Sequence, residues 1–276
     1  VIIHNTMLHL IIYKGETVKM SQLDKTFCEG FVTYLANAMT IGFEIPKRGQ
    51  HHQKKLAKGT ARLYFNSFVT ALNEAVREGI ISENPNRLLK KEEKKLVCKN
   101  DSNRPHLNIE EIKTLIRTPC KNAAVKKAFL FACFCGLRVS DIKTLKWSDI
   151  RKETDGICIS KKMIKTKQVV TIPLSENALA WMPSKGNAKL DDLVFCLPSY
   201  FTINYQIKQW AKEAGLEKNI TFHVARHTFA TALLTMGADL YTTSKLLGHQ
   251  NIKTTQVYAE VVNKKKVETV NLLDKI

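Results

Sequence analysis

Gly156-Ile157-Cys158-Ile159-Ser160-Lys161-Lys162-Met163-Ile164-Lys165-Thr166-Lys167-Gln168-Val169-Val170-Thr171-Ile172 interrupts a chain that otherwise reads as helix. Its two β-branched runs, 156–159 and 169–172, flank a lysine-rich turn, the pattern of a hairpin. Pro173 ends the second run, because proline cannot donate to a strand ladder. On both sides of this stretch the apolar residues return at helical spacing. The expected fold is therefore mainly α with a small β-hairpin/sheet, and the hairpin falls inside a mixed α+β domain.

Upstream, Ala123–Cys135 reads as a buried helix ended by Gly136, and Asn108 as the cap of a helix that begins Ile109-Glu110-Glu111. Lys90–Arg104 is poor in apolar residues and holds Lys90, Lys91, Lys94, Lys95, Lys99 and Arg104. It reads as a linker, either a solvated tether or a strap along a polyanion. Before it, residues 7–45 look helical, with Leu23, Phe27, Phe31 and Leu35 on one face. Residues 46–59, broken by Pro46, Gly49 and Gly59, read as a basic loop. Thr60–Gly79 reads as an amphipathic helix with the stripe Leu63, Phe68, Leu72 and Val76, and Gly79 at its end. Asn84-Pro85 reads as a turn. The expected division is a small helical domain over 1–95, a linker over 96–106 and a second domain over 107–276.

The chain has 276 residues, enough for two cores. It carries 43 Lys and Arg against 25 Asp and Glu, a formal charge of +18. The excess is spread over both parts, which favours a polyanionic partner. Seven cysteines without regular spacing, Cys133-x-Cys135 among them, fit buried reduced thiols and a cytoplasmic setting better than a zinc site or a disulfide framework. No run is long and apolar enough to span a membrane, so no membrane association is expected. The opening Val1-Ile2-Ile3-His4 has neither an initiator Met nor a signal-like start, which suggests a fragment lacking its N-terminus.

The densest group of chemically capable residues is Thr221-Phe222-His223-Val224-Ala225-Arg226-His227-Thr228-Phe229. With Thr221 as cap, His223 and Arg226 lie in the first turns of a helix, whose N-terminus favours anions. A guanidinium there matches two phosphate oxygens. Farther on, a short helix from about Asp239 to Leu247 closes at Gly248, His249 follows, and Asn251 can cap a helix carrying Tyr258. Upstream, Arg138 sits at a break between helices, in Gly136-Leu137-Arg138-Val139-Ser140-Asp141, and Asp141 can pair with it. Each piece alone also suits an ordinary surface helix or turn.

Taken in order, Gly136-Leu137-Arg138, His223-x-x-Arg226, Leu247-Gly248-His249 and Tyr258 resemble the tyrosine recombinase, or phage integrase, family. The 23-residue step from Arg226 to His249 and the nine from there to Tyr258 resemble the family's spacing. The likeness covers about 107–276 as a catalytic domain. The helical part before it resembles the family's core-binding domain more weakly. The family also has a hairpin lysine. Counting back from Pro173-Leu174 selects Lys165 among Lys161, Lys162, Lys165 and Lys167, with its neighbours left open.

The resemblance implies Tyr258 as nucleophile, Arg138 and Arg226 on the non-bridging phosphate oxygens, His223 as base, His249 as donor and Lys165 as acid to the leaving oxygen. It implies a 3′-phosphotyrosine intermediate, no metal and no ATP. It further implies double-stranded DNA as partner, a homotetramer on that DNA, and DNA-bending accessory proteins as additional partners. The apolar positions Val267, Val270, Leu273 and Ile276 of the tail suit docking on a neighbouring subunit or packing on the chain's own domain. The rival readings are a type IB topoisomerase, a non-catalytic DNA-binding regulator on the same scaffold, and a metal-dependent phosphoesterase.

Overall fold

The computed structural model describes residues 1–41, 54–97 and 104–259. By internal contacts the chain divides into two compact units, Val1–Asp101 and Ser102–Ile276. The protein is mostly helical with one small sheet.

The first unit is built from α1 (Ile2–Lys14), α2 (Lys25–Asn37), α3 (Lys58–Arg77) and a short α4 (Lys91–Lys95). The expectation of continuous helix from residue 7 is corrected here. The chain leaves α1 at Gly15, and Asp24 restarts it by accepting a hydrogen bond from the Phe27 amide at 2.7 Å. The four-residue spacing from Leu23 runs straight across that cap, so periodicity alone does not reveal the break. Phe27, Phe31 and Leu35 are buried as expected. On α3 the buried face is Ala61, Tyr64, Phe65, Phe68, Leu72 and Ala75, while Leu63 is 51% exposed. Leu63 stands one residue, and hence about 100° of helix, away from Tyr64 in that stripe. Aromatic rings knit the core, with Phe31 meeting Phe68 edge-on at 5.1 Å. Such pairs contribute about 0.5–1.5 kcal/mol beyond the area they bury. Gly79 closes α3 as expected, donating to the Val76 carbonyl at 3.1 Å. Asn84 caps a single 3₁₀ turn that begins at Pro85.

Leu89 and Val97 are buried in this same core. The stretch read as linker therefore contributes its first residues, α4 included, to the first unit. Residues 98–103, with Lys99, lie outside the described residues, as do 46–53 of the basic loop and the tail from 260 onward with Val267, Val270, Leu273 and Ile276.

The second unit holds α5 (Ile109–Arg117), α6 (Ala123–Cys135), α7 (Val139–Lys143), β1 (Ile150–Glu153), β2 (Gly156–Lys162), β3 (Val169–Pro173), α8 (Glu176–Trp181), α9 (Tyr200–Glu213), α10 (Phe222–Thr235) and α11 (Leu240–Leu246). Residues 253–259 are helical. Helix α6 is buried on nearly every side and packs against α8, α9 and α10. Its thiols Cys133 and Cys135 lie in the core, and burial pushes both up, Cys135 to about 12. Asn108 caps α5 reciprocally with Glu111.

The sheet has three antiparallel strands in the order β1-β2-β3, one more than the hairpin the sequence shows. β2 pairs with β3 through Ile159↔Ile172 and Lys161↔Val170. The additional strand, Ile150-Arg151-Lys152-Glu153, pairs with β2 but buries almost nothing, so it lacks the alternation by which a strand is recognised. No described helix is long and apolar enough to cross a membrane.

Candidate active site

Arg226 lies at the middle of the site. Helix α10 is buried over most of its surface, and Arg226 is only 2% exposed. A buried cation needs partners. Its Nη1 donates to the Gly136 carbonyl at 2.8 Å and its Nη2 to the Leu247 carbonyl at 2.5 Å. Both acceptors sit at helix C-termini, Gly136 capping α6 and Leu247 capping α11. Carbonyls there lack intrahelical donors and carry the negative end of the helix dipole. One guanidinium thus ties α10 to the turn before Arg138 and to the turn before His249. Burial, then Arg138, lowers its pKa to about 9, which leaves it cationic at neutral pH.

Glycines make both turns. Gly136 (φ 71°) and Gly248 (φ 61°) are left-handed. A Cβ on Gly136 would fall 2.4 Å from the Phe229 ring, and one on Gly248 2.9 Å from Val170 Cγ2. Close packing, as well as dihedral, excludes side chains there.

Arg138 is the cap residue of α7 and is half-buried. Its Nη1 is buried and has no hydrogen-bond partner. Asp141 does not pair with it as expected. Asp141 is fully buried, and its Oδ1 accepts from the Ile164 amide at 2.8 Å, so it pins the β2–β3 turn to α7. Its charge still reaches Arg138 and partly offsets the burial that lowers that group's pKa.

The β2–β3 turn carries the candidate lysines. Lys161 is committed to structure: its Nζ donates to the Thr144 carbonyl and to Asp149, both at 2.7 Å. Lys165 is exposed in the turn, and its charge is among those that lower the His223 pKa.

His223 keeps an exposed edge, yet loss of water around the rest of the ring, then Arg226, Arg138, Arg104 and Lys165, hold it down at about 4. Thr221 has the extended backbone of a cap, but its side chain makes no capping bond. The Phe222 amide goes instead to Asn204 Oδ1 of α9 at 2.8 Å. His249 is half-buried, and its Nδ1 is 2.7 Å from the Thr255 hydroxyl. Burial, then Arg226 and Arg138, depresses it to about 3.

Tyr258 lies in the 253–259 helix, whose start is capped by Asn251. It is 3% exposed and packs with Phe229, Leu234 and Leu247. Its hydroxyl is paired with His227 Nδ1 at 2.7 Å, and no hydrogen bond joins it to His223. His227 and Arg104, whose guanidinium lies 5.7 Å from the Tyr258 ring centroid, are the two residues sequence reading passed over. His227 stands one helical turn after His223 in a helix too buried to leave a polar ring without a partner, which is the signal that was there to use. In the sequence Arg104 is one more charge of the linker.

The structure therefore brings Arg138, His223, Arg226, His249 and Tyr258 together, with Lys165 at the rim, in surroundings where, among the described residues, cations outnumber the one buried carboxylate, Asp141. Such a place suits a phosphodiester, whose charge two guanidinium groups can neutralise.

The model of the Phage integrase family matches residues 105–265, and that of the Phage integrase SAM-like domain matches 2–96. The chain is 34% identical over 179 residues to the tyrosine recombinase XerD of Proteus mirabilis, covering 58% of this chain and 56% of that one. It thus spans little more than half the length of that curated relative. It is 31% identical over 229 residues to the tyrosine recombinase XerC of Bacillus pumilus, covering 74% and 72%. In fold it is similar to the XerH site-specific recombinase bound to palindromic difH substrate, with a TM-score of 0.69 at 19% identity over 98% of this chain and 79% of that one. From two matched domains and the order of its site residues, the chain belongs to the phage integrase family of tyrosine recombinases.

Proposed function

We propose that this chain is a site-specific DNA recombinase that cuts and rejoins strands through a 3′-phosphotyrosine at Tyr258, for integration or excision of a mobile element. The observation that carries the reading is the convergence of Arg138 and Arg226 beside Tyr258, with Arg138 Nη1 buried and unpartnered. A phosphate oxygen supplies the acceptor that Nη1 lacks. Arg226 still has three of its five N–H groups to offer.

In the proposed reaction Tyr258 Oη attacks phosphorus, the P–O5′ bond breaks, and Lys165 protonates the leaving oxygen. The two arginines hold the non-bridging oxygens as charge builds. His249, whose Nδ1 is paired with the Thr255 hydroxyl at 2.7 Å, donates to one of them from Nε2 in the tautomer that leaves Nδ1 an acceptor. A phenol titrates near about 10, so an imidazole must take its proton, His223 by family resemblance. A 5′-hydroxyl then attacks the phosphotyrosine and releases Tyr258. The covalent link conserves the bond energy, so ATP has no part. Charge neutralisation falls to the arginines, so no metal is needed. Exchange between two duplexes requires four cuts, hence four chains on double-stranded DNA, with DNA-bending accessory proteins as further partners.

A nicked suicide substrate tests this directly. The expected result is a denaturation-stable protein–DNA adduct that is lost in Tyr258→Phe and insensitive to EDTA. A pair of target sites should give exchanged products. Supercoil relaxation without exchange would favour a topoisomerase, and no adduct would sink the reading.

A further inference from the structure

We propose that Gln250 is a positioning residue for Lys165: it latches the β2–β3 turn to the loop that follows His249 and so sets where the lysine meets the leaving 5′-oxygen. This rests on the recombinase reading, with Lys165 as the acid. Lys165 is exposed in that turn, and its ammonium group takes part in none of the ion pairs among the described residues. A lysine stem is long and flexible, so where its nitrogen reaches depends on how firmly its backbone is held.

The backbone is tied on both sides of it. The Ile164 amide donates to Asp141 Oδ1 at 2.8 Å, and the Thr166 carbonyl accepts from Gln250 Nε2 at 3.2 Å. A carbonyl cannot donate, so it is the amide nitrogen of Gln250 that faces it. Each tie leads back to a group proposed to hold the scissile phosphate. Asp141 stands in α7, which Arg138 caps. Gln250 follows His249, whose own amide donates to the Ser244 carbonyl at 3.0 Å. The turn is therefore registered against both Arg138 and His249.

The two ties are unequal. Asp141 is fully buried, whereas Gln250 is exposed and its bond competes with water. The Thr166 hydroxyl is buried without a partner, so it adds no tie of its own. The turn is also tight: the Lys167 amide donates to the Met163 carbonyl at 2.9 Å, and Lys167 is left-handed at φ 59°, a conformation that suits glycine better than lysine. With Gln250 removed, the turn relaxes about Ile164 and carries Lys165 with it. In the cleavage step the P–O5′ bond breaks and a proton passes from Lys165 Nζ to O5′. That transfer is the part of the reaction that Gln250 supports.

The test is single-turnover adduct formation on two nicked substrates, one with oxygen and one with sulfur at the bridging 5′ position of the scissile phosphate. A thiol is far more acidic than an alcohol, so a thiolate leaves without a proton. We expect Gln250→Ala and Gln250→Met to be about three- to tenfold slower than wild type on the oxygen substrate, the range for losing one hydrogen bond. Both should match wild type on the sulfur substrate and in DNA affinity. Because Gln250 is exposed, neither change removes core packing. Lys165→Ala should show the same recovery from a larger deficit, and Arg226→Ala, which acts on the non-bridging oxygens, should be slow on both. Wild-type rates for the Gln250 variants on oxygen, an equal deficit on both substrates, or recovery of Arg226→Ala by sulfur would overturn the proposal. A Lys165→Ala deficit that sulfur does not recover would remove that lysine as the acid and this inference with it. All of these outcomes leave the wild-type adduct, and so the recombinase reading, standing; a wild-type chain that forms no adduct overturns both.

Discussion

His9 in the first unit and His227 in the second make the same contact. Each is a buried histidine whose Nδ1 pairs with a tyrosine hydroxyl, His9 with Tyr34 at 3.0 Å and His227 with Tyr258 at 2.7 Å. Their surroundings differ. His9 is enclosed by the rings of Tyr34 and Tyr64, and burial alone lowers its pKa. His227 is ringed by Arg104, Arg226, His106 and His223, with Arg138 nearby holding an unpartnered buried donor. The first pair satisfies two polar groups within an apolar core. The second sits among cations whose charge, among the described residues, Asp141 offsets only in part. A buried histidine–tyrosine bond is thus not a signature of function; the excess of positive charge around it points to one.

The comparison can be broken at several points. The largest contrast should come from the two tyrosines. Tyr258→Phe should reduce adduct formation by on the order of 10⁴-fold or more, as removal of a covalent nucleophile does. Tyr34→Phe should leave it unchanged, and equal effects on gel-resolved adduct would erase the distinction. Next, Arg226→Ala should slow adduct formation by about 10²–10³-fold, the range for losing one oxyanion-stabilising donor set. Arg226→Lys should not restore it, because an ammonium cannot serve two carbonyls and a phosphate in one plane. Smaller again, Thr255→Val frees His249 Nδ1 and lets the proton settle on the wrong nitrogen. A loss of about tenfold is expected, in keeping with removal of a hydrogen bond that orients a functional imidazole.

The smallest effects are on stability. His227 and His249 have folded-state pKa values near about 3 and the exposed-edged His223 near about 4, all below the ordinary value. The unfolded chain therefore binds protons first. The second unit should keep its full stability above about pH 6.5 and lose it as pH falls toward 4, at up to about 1.4 kcal/mol per pH unit for each well-buried ring. Trp147, Trp181 and Trp210 all lie in that unit, so tryptophan emission in urea reads it alone. A denaturation midpoint that holds or rises from pH 7 to 5 would contradict this. Tyr34→Phe, neutral for cleavage, should cost the first unit about 1–3 kcal/mol by leaving His9 without its partner.

Features written in short local patterns were legible from sequence. The buried run ending at Gly136 forms the helix read there, the β-branched runs pair as read, and Asn108 caps where its position implied. What escaped depends on distant neighbours. β1 is a strand only because β2 lies beside it, and α2 starts at Asp24 in the middle of an unbroken apolar period. Leu63 is apolar and exposed because its helix turns a different face inward. The site divides the same way. Arg138, His223, Arg226, His249 and Tyr258, grouped by their order, are gathered in the structure, but the partner of Asp141 is not legible because the turn that uses its oxygen is 23 residues away in sequence. His227 carries no mark in the sequence because its partner arrives from 31 residues downstream.

The main-chain carbonyls that hold Arg226 have a consequence for how substrate enters. Among the described residues no carboxylate is paired with that guanidinium, so an arriving phosphate displaces no internal anion. Ionic strength should then weaken the long-range approach of the duplex to this +18 chain while leaving the receptor for the scissile phosphate unaltered. Encounter and capture are in that sense separately tunable: one answers to the surrounding electrolyte, the other to two helix ends.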